Sequence, residues 1–259
     1  MKLTSLPTIF LLLLVVASCI PNKKVVYFPD PNFNTEVSTE ILNPRQNYRL
    51  QPRDVLSVRI LTLDQESASY FNIHPENGNL NLNPASFYIN GYSINEEGNI
   101  ILPEVGPIKV SGLTVGEAQS VISKYISEYL NTATVIVKLT SFKITVLGEV
   151  NEPGYYYIYN DQANILEGLG LAGDLTQYGN RENITLIRQT DAGSEVVLVD
   201  LKDPKVLSSK FYFLQPNDVI YVQPMKAKNT RSNVDTFTIL SVLFGAISST
   251  VLLLRYVND

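Results

Sequence analysis

Two stretches of this chain carry the same pattern, and each dictates a turn that feeds a strand. Tyr48-Arg49-Leu50-Gln51-Pro52-Arg53-Asp54-Val55-Leu56-Ser57-Val58 is matched by Tyr212-Phe213-Leu214-Gln215-Pro216-Asn217-Asp218-Val219-Ile220-Tyr221-Val222. Proline fixes the first turn position, the aspartate can hydrogen-bond its local backbone, and the β-branched run that follows favours extended chain. A turn-into-strand device used twice accounts for the repeat without invoking a binding site.

The stretch between the two copies reads as short strands with a few helices. Val55 to Leu63 alternates apolar and polar residues, as a half-buried strand does. Residues 72–95 are rich in asparagine and carry Gly78 and Gly91, which predicts a loop or a loose hairpin. Ile100–Leu102 and Ile108–Val110 are strands around Pro103, Gly106 and Pro107. Thr114 and Glu117 have the spacing of a capping box. Behind them Ala118, Val121, Ile122, Tyr125, Ile126, Tyr129 and Leu130 recur at helical spacing and give one apolar face. Thr134–Leu139 and Lys143–Val150 are strands, and Glu152-Pro153-Gly154 turns the chain into Tyr155–Tyr159. A second helix spans Asn164–Ala172 and stops at Gly173. Strands near Ile184–Arg188 and Glu195–Leu201 flank a turn at Asp191-Ala192-Gly193.

The N-terminus has the three parts of a secretion signal. Lys2 supplies the positive end, and Leu6–Ala17 is an apolar run too short for a comfortable membrane span of about 20 residues. It ends in Val16-Ala17-Ser18-Cys19, which resembles the bacterial lipobox, so residues 1–18 are expected to be removed and Cys19, the only cysteine, to be acylated. One acylated thiol leaves neither a disulfide nor a thiolate metal cage. Residues 19–47, with Pro21, Pro29, Pro31 and Pro44, have the composition of a tether.

Several chemistries are disfavoured. A net charge of −5 and a single histidine make the chain a poor candidate for nucleic acid, whose binding rests on neutralising phosphates. His74 lies in the asparagine-rich stretch and reads as a solvated loop residue. Gly168-Leu169-Gly170-Leu171-Ala172-Gly173 matches a dinucleotide fingerprint, but that motif works only between a strand and a helix N-terminus. Here the glycines lie within and at the end of the second helix, where close packing and a helix stop explain them. No hydrolase elbow, phosphate loop or zinc-type histidine pair is present. Tyr155, Tyr156, Tyr157 and Tyr159 offer either ordinary strand residues or an aromatic surface for a sugar.

Residues 237–254 carry no charge, and at about 1.5 Å per residue they span about 27 Å, close to a hydrocarbon core. This predicts a C-terminal transmembrane helix over 229–259. Thr238, Ser241, Gly245, Ser248 and Ser249 fall on one side of it as a polar stripe. The small residues allow either helix association or a polar side facing a lumen, against a solitary span.

With these features in place the chain resembles the bacterial polysaccharide biosynthesis/export family. Tyr48-x-Leu50-x-Pro52-x-Asp54-Val55-Leu56 is similar to the opening of its export domain, with Arg53 where the family usually has glycine. Glu97-Gly98-Asn99-Ile100-Ile101-Leu102-Pro103-x-x-Gly106-x-Ile108-x-Val110-x-Gly112-Leu113-Thr114-x-x-Glu117-Ala118 follows the family pattern over a long block. Val146-Leu147-Gly148-Glu149-Val150-x-x-Pro153-Gly154 resembles the start of a SLBB domain, a soluble-ligand-binding β-grasp module, which closes at Leu214-x-Pro216-x-Asp218-Val219-Ile220.

The resemblance implies an α+β chain: an export domain over 48–141, a β-grasp-like SLBB domain over 142–228, then the C-terminal helix. It implies no enzyme, no cofactor and no metal, and a structural role for the turn residues. It implies a lipoprotein of the outer membrane with its soluble domains in the periplasm. It further implies a homo-oligomeric ring that passes a capsular or extracellular polysaccharide, with an inner-membrane polysaccharide co-polymerase as partner. The alternative is a glycan- or peptidoglycan-binding lipoprotein that uses its C-terminal helix only as an anchor.

Overall fold

The computed structural model describes residues 26–29, 38–43, 47–73, 88–190, 192–225 and 236–258. Cys19, residues 1–18 read as a secretion signal, His74 and Gly78 lie outside them.

Two hydrophobic cores form, one on each side of residue 141. The first is built on a sheet ordered β2-β1-β5, from β1 (Val55–Leu61), β2 (Tyr92–Ser93) and β5 (Thr134–Leu139). Both of its pairings are antiparallel. A separate hairpin of β3 (Asn99–Leu102) and β4 (Gly106–Lys109) supplies Ile100, Leu102 and Ile108. A short helix α1 (Gln65–Ser69) follows β1. Beyond it, the Asn72 amide donates to Ile60 O at 2.9 Å and accepts from Ile60 N at 2.9 Å, standing in for a strand along the free part of β1.

Helix α2 (Val115–Ile126) closes this core. Its capping box is complete: Thr114 Oγ1 accepts from Glu117 N at 3.2 Å, and Glu117 Oε2 accepts from Thr114 N at 2.7 Å. Such reciprocal bonds satisfy two donors that a helix start leaves open. Ala118, Ile122 and Ile126 form the buried face, whereas Tyr125 and Tyr129 are exposed, so the apolar stripe read from sequence is wider than the face that packs.

The second core backs a five-stranded sheet ordered β7-β6-β10-β8-β9. Its strands are β6 (Lys143–Gly148), β7 (Gly154–Tyr157), β8 (Gly179–Thr190), β9 (Gly193–Val199) and β10 (Val219–Pro224). β10 runs parallel to β6 and antiparallel to β8, which makes the sheet mixed. Helix α3 (Ile165–Leu171), capped by Asn164, lies on the inner face. A Cβ on Gly168 would come within 2.9 Å of Leu214 Cδ1 and Ile144 Cδ1, so this glycine lets the helix approach the sheet. Gly173 ends the helix at φ +71°. In the glycine fingerprint, Gly168 therefore serves packing and Gly173 the helix stop, whereas Gly170 faces open space.

Two local expectations need revision. The asparagine-rich stretch holds a strand, β2, because Arg53 N and Ile94 O, then Ile94 N and Asp54 O, continue the ladder at 2.8 Å each. β8 begins five residues before the expected Ile184, since Asn180 and Glu182 disguise its start.

The expected C-terminal transmembrane helix is overturned. A helix forms, α4 (Thr236–Asn258), but no helix among the described residues is long and apolar enough to cross a membrane. Freedom from charge is not apolarity: Thr238, Ser241, Gly245, Ser248, Ser249 and Thr250 put a polar or glycine residue at one position in three of 237–254. The stripe residues Ser241, Gly245, Ser248 and Ser249 are exposed, as are their apolar neighbours Phe244 and Ile247.

Candidate functional site

The two copies of the repeated motif meet at the junction between the domains. In each, the aspartate closes the turn twice. Asp54 N donates to Gln51 O at 3.2 Å while Asp54 Oδ2 accepts from Gln51 N at 2.9 Å. Asp218 N donates to Gln215 O at 3.1 Å and Asp218 Oδ2 accepts from Gln215 N at 2.8 Å. Pro52 and Pro216 lead these turns. The third residue of each adopts the left-handed region, Arg53 at φ +77° and Asn217 at φ +65°. Such a turn is usually given glycine or asparagine at that place.

Residues 140–143, which join the domains, are bonded to both turns. Thr140 N and Oγ1 each donate to Val55 O at 2.9 Å, and Ser141 Oγ accepts from Val55 N and donates to Asp54 Oδ1 at 3.1 Å each. On the other side Asn217 N donates to Lys143 O at 2.7 Å, and Thr145 N donates to Asp218 O at 2.9 Å. The connection is therefore clamped rather than free.

The remaining acceptor capacity of the two carboxylates is filled differently. Asp54 accepts from the Tyr48 hydroxyl at 2.8 Å and from Ser141. Asp218 accepts from Arg188 Nε at 3.0 Å and Nη2 at 2.7 Å, a two-pronged ion pair in which both partners are buried. Burial pushes both carboxyls above the ordinary aspartate value, with the Tyr48, Ser141 and Arg188 bonds pulling back. The Tyr48 hydroxyl is pushed up, first by burial, then by Asp54, with a contribution from Asp218. Tyr92, buried in the first core, is pushed up to about 12 by the same loss of solvation.

Beside this junction lies a cleft of about 650 Å³. One wall is the first domain: Thr114, Gly116 and Gln119 of α2 and its cap, with Val137, Lys138 and Leu139 of β5. The other is the second domain: Asn160 to Gln162, Ser209, Lys210, and Phe213 to Pro216. Asn43 and Asn47 edge it, and Asn43 Nδ2 also donates to Leu207 O. Lys138 Nζ bridges the walls to both Asp161 oxygens at 3.2 Å.

The segment leading to the first domain crosses the second. Tyr27 and Phe28 pack against the second core, and Phe28 N donates to Leu201 O at 3.3 Å. The Tyr27 hydroxyl donates to Asp174, and the Arg181 guanidinium lies 4.9 Å from the Tyr27 ring centre. Arg181 is only 4% exposed, and its Nε has no partner among the described residues.

The other turn residues singled out in the sequence are spread over both domains. Gly98 O accepts from Val110 N and Ser111 N at 3.0 Å each, and Gly112 N donates to Leu50 O at 2.8 Å. Pro103 and Gly106 shape the β3–β4 turn, and Pro153 with Gly154 leads into β7. Gly148 is the most constrained, at φ +90° with a Cβ position 2.1 Å from Val222 O. Pro52, Asp54, Pro216 and Asp218 alone of this set converge at the junction. Ser141 and Arg188 were not singled out. Arg188 had a readable signal: it shares a strand face with Ile184 and Leu186, so its side chain points inward. Among the described residues no cluster of three His, Cys, Asp or Glu could hold a metal ion.

Two clamped α+β modules in tandem, with a cleft between them, define the class of this chain. Residues 42–140 match the family described as polysaccharide biosynthesis/export protein, and residues 142–222 match the SLBB domain. The break falls at Ser141, the residue bonded to the first turn. The chain therefore carries a polysaccharide biosynthesis/export domain joined directly to an SLBB domain.

It is 32% identical over 104 residues to the EPS I polysaccharide export outer membrane protein EpsA of Ralstonia nicotianae, covering 39% of this chain and 27% of that protein. It is 28% identical over 143 residues to the protein of the same name from Ralstonia solanacearum, covering 52% of this chain and 36% of that one. The match thus spans about a third or less of the length of these curated relatives.

Proposed function

We propose that this chain is an outer-membrane lipoprotein, acylated at Cys19, that assembles into a homo-oligomeric ring and passes a capsular or extracellular polysaccharide to the cell surface. The observation that carries the reading is the pairing of an export domain with an SLBB domain in one chain, together with relatives named as polysaccharide export outer membrane proteins. The clamped junction supports it, because a ring of two-domain protomers requires a fixed angle between the domains. The soluble domains stand in the periplasm, and an inner-membrane polysaccharide co-polymerase delivers the polymer.

Deletion of the gene is expected to abolish surface polymer, and the full-length chain to restore it. Purified full-length protein in detergent is expected to image as rings with a central opening. Cys19→Ala should leave the soluble domains folded, displace the protein from the outer membrane and reduce export. Normal surface polymer in the deletion strain, with a monomer in detergent, overturns the reading.

A further inference from the structure

We propose that the cleft between the two domains is a saccharide-binding site on each protomer, taking a short, uncharged stretch of glycan. The proposal rests on the export reading for the class of ligand, and on the cleft itself for the place. At about 650 Å³ the cleft falls in the size range of small-molecule sites, and both domains wall it.

Its lining is selective by chemistry. Asn47, Gln119, Asn160, Gln162 and Gln215 bring side-chain amides to it from the segment leading to the first domain and from both domains. Each amide offers two donors and an acceptor carbonyl, which suits adjacent sugar hydroxyls that both donate and accept. Gln162 and Gln215 are half-buried, yet among the described residues neither side-chain amide has a hydrogen-bond partner. Gln119 Oε1 accepts from Val137 N at 3.2 Å, leaving its NH₂ to face outward. Between the amides lie the part-exposed apolar side chains of Val115, Leu139 and Phe213, which fit the C–H faces of a sugar ring.

The charges argue against an ionic ligand. Lys138 is neutralised by Asp161, and Lys210 by Glu195 at 2.9 Å. The α2 N-terminus, which would otherwise attract an anion, is occupied by its own capping box. A purely apolar ligand would leave the amides without partners, at a cost for each. A neutral, hydroxyl-rich ligand satisfies both walls.

Gly116 gives a clean test. It lines the cleft near the start of α2, and a Cβ there would meet nothing within 4 Å. Gly116→Trp is therefore expected to fill the cleft without disturbing the fold. Gly170→Trp, on α3 and equally unobstructed but away from the cleft, controls for a bulky surface residue. The probe is a set of short oligosaccharides cut from the secreted polysaccharide of the same strain, titrated against the full-length protein in detergent. Hydrogen exchange is read in parallel over residues 114–119, 160–162 and 209–216.

Saturable binding, protection of those segments, and at least tenfold weaker binding for Gly116→Trp but not Gly170→Trp are expected. Binding that Gly116→Trp leaves unchanged, or protection confined to Tyr155–Tyr157, places the sugar elsewhere and overturns the proposal. So does absence of binding. The export reading is judged separately by the surface polymer of the deletion strain. If Gly116→Trp restores it fully and no oligosaccharide binds, the cleft proposal fails and the export reading stands.

Discussion

The turn at Gln51–Asp54 and the turn at Gln215–Asp218 share backbone, proline and aspartate, yet they keep a buried carboxylate by opposite means. The first uses neutral donors, Tyr48 from the same segment and Ser141 from the domain connection. The second uses a buried charge, Arg188 from the middle of its own sheet. Tyr212, which corresponds to Tyr48, instead stacks edge-on with Phe213 at 5.2 Å. The motif thus specifies a backbone path, and each domain completes the carboxylate with what lies nearby. The first solution also ties the turn to the neighbouring domain through Ser141, whereas the second is largely internal.

That contrast can be broken most forcefully at Arg188. Arg188→Ala leaves the Asp218 carboxylate buried without its counter-charge, and is expected to cost about 3–5 kcal/mol in the second domain. Tyr48→Phe removes one neutral donor of several and is expected to cost about 1–2 kcal/mol in the first domain. Urea unfolding followed by probes in each domain measures both. Equal losses would mean that the two carboxylates are held in the same way after all.

The third positions sharpen the comparison further. Arg53 holds a left-handed conformation that long side chains disfavour, and its exposed ion pair with Glu96 offsets little of that. Arg53→Gly is expected to stabilise the first domain by about 1 kcal/mol. Asn217→Gly should gain less, because asparagine tolerates this region. A larger gain at Asn217 would show that the second turn, not the first, stores the strain.

The smallest effect lies in the pH dependence. Burial raises both aspartates above their ordinary 3.8, so each contributes its full stability below that pH and loses it as pH rises through the raised folded value. Glu117, lowered chiefly by the Thr114 backbone N–H, behaves oppositely: its contribution is present above the ordinary 4.5 and is lost as pH falls. Asp54→Asn is therefore expected to flatten the decline in first-domain stability as pH rises above the ordinary aspartate value. A decline on the acid side that this substitution removes would show Asp54 to be held as the anion.

Much of the fold was legible wherever period and punctuation agree. β5 lies at Thr134–Leu139 as its alternation predicts, and the α2 capping box forms both of its bonds. Elements escaped where they are short or where a polar residue is buried. α1 has five residues and β2 has two, too few for a period to register. The start of β8 is hidden by the polar residues Asn180 and Glu182 and by a shift of register between Val222 and Pro224 of its partner strand. The junction was half legible. The repeat revealed both aspartates, but nothing local could show that turns so far apart in sequence grip the same connection. The C-terminal helix was misjudged because an unbroken absence of charge was read as apolarity.

The crossing of Tyr27 and Phe28 over the second domain sets a leash length. Tyr27 follows Cys19 by only eight residues, and extended chain covers at most ~3.3–3.6 Å per residue, about 29 Å in all. If Cys19 carries the lipid, as proposed, the face of the second domain that holds Tyr27 stands within that distance of it. The path doubles back: the chain fastens first to the module that comes later in sequence, and only then builds the earlier one. The order of the modules along the chain is the reverse of the order in which they are moored.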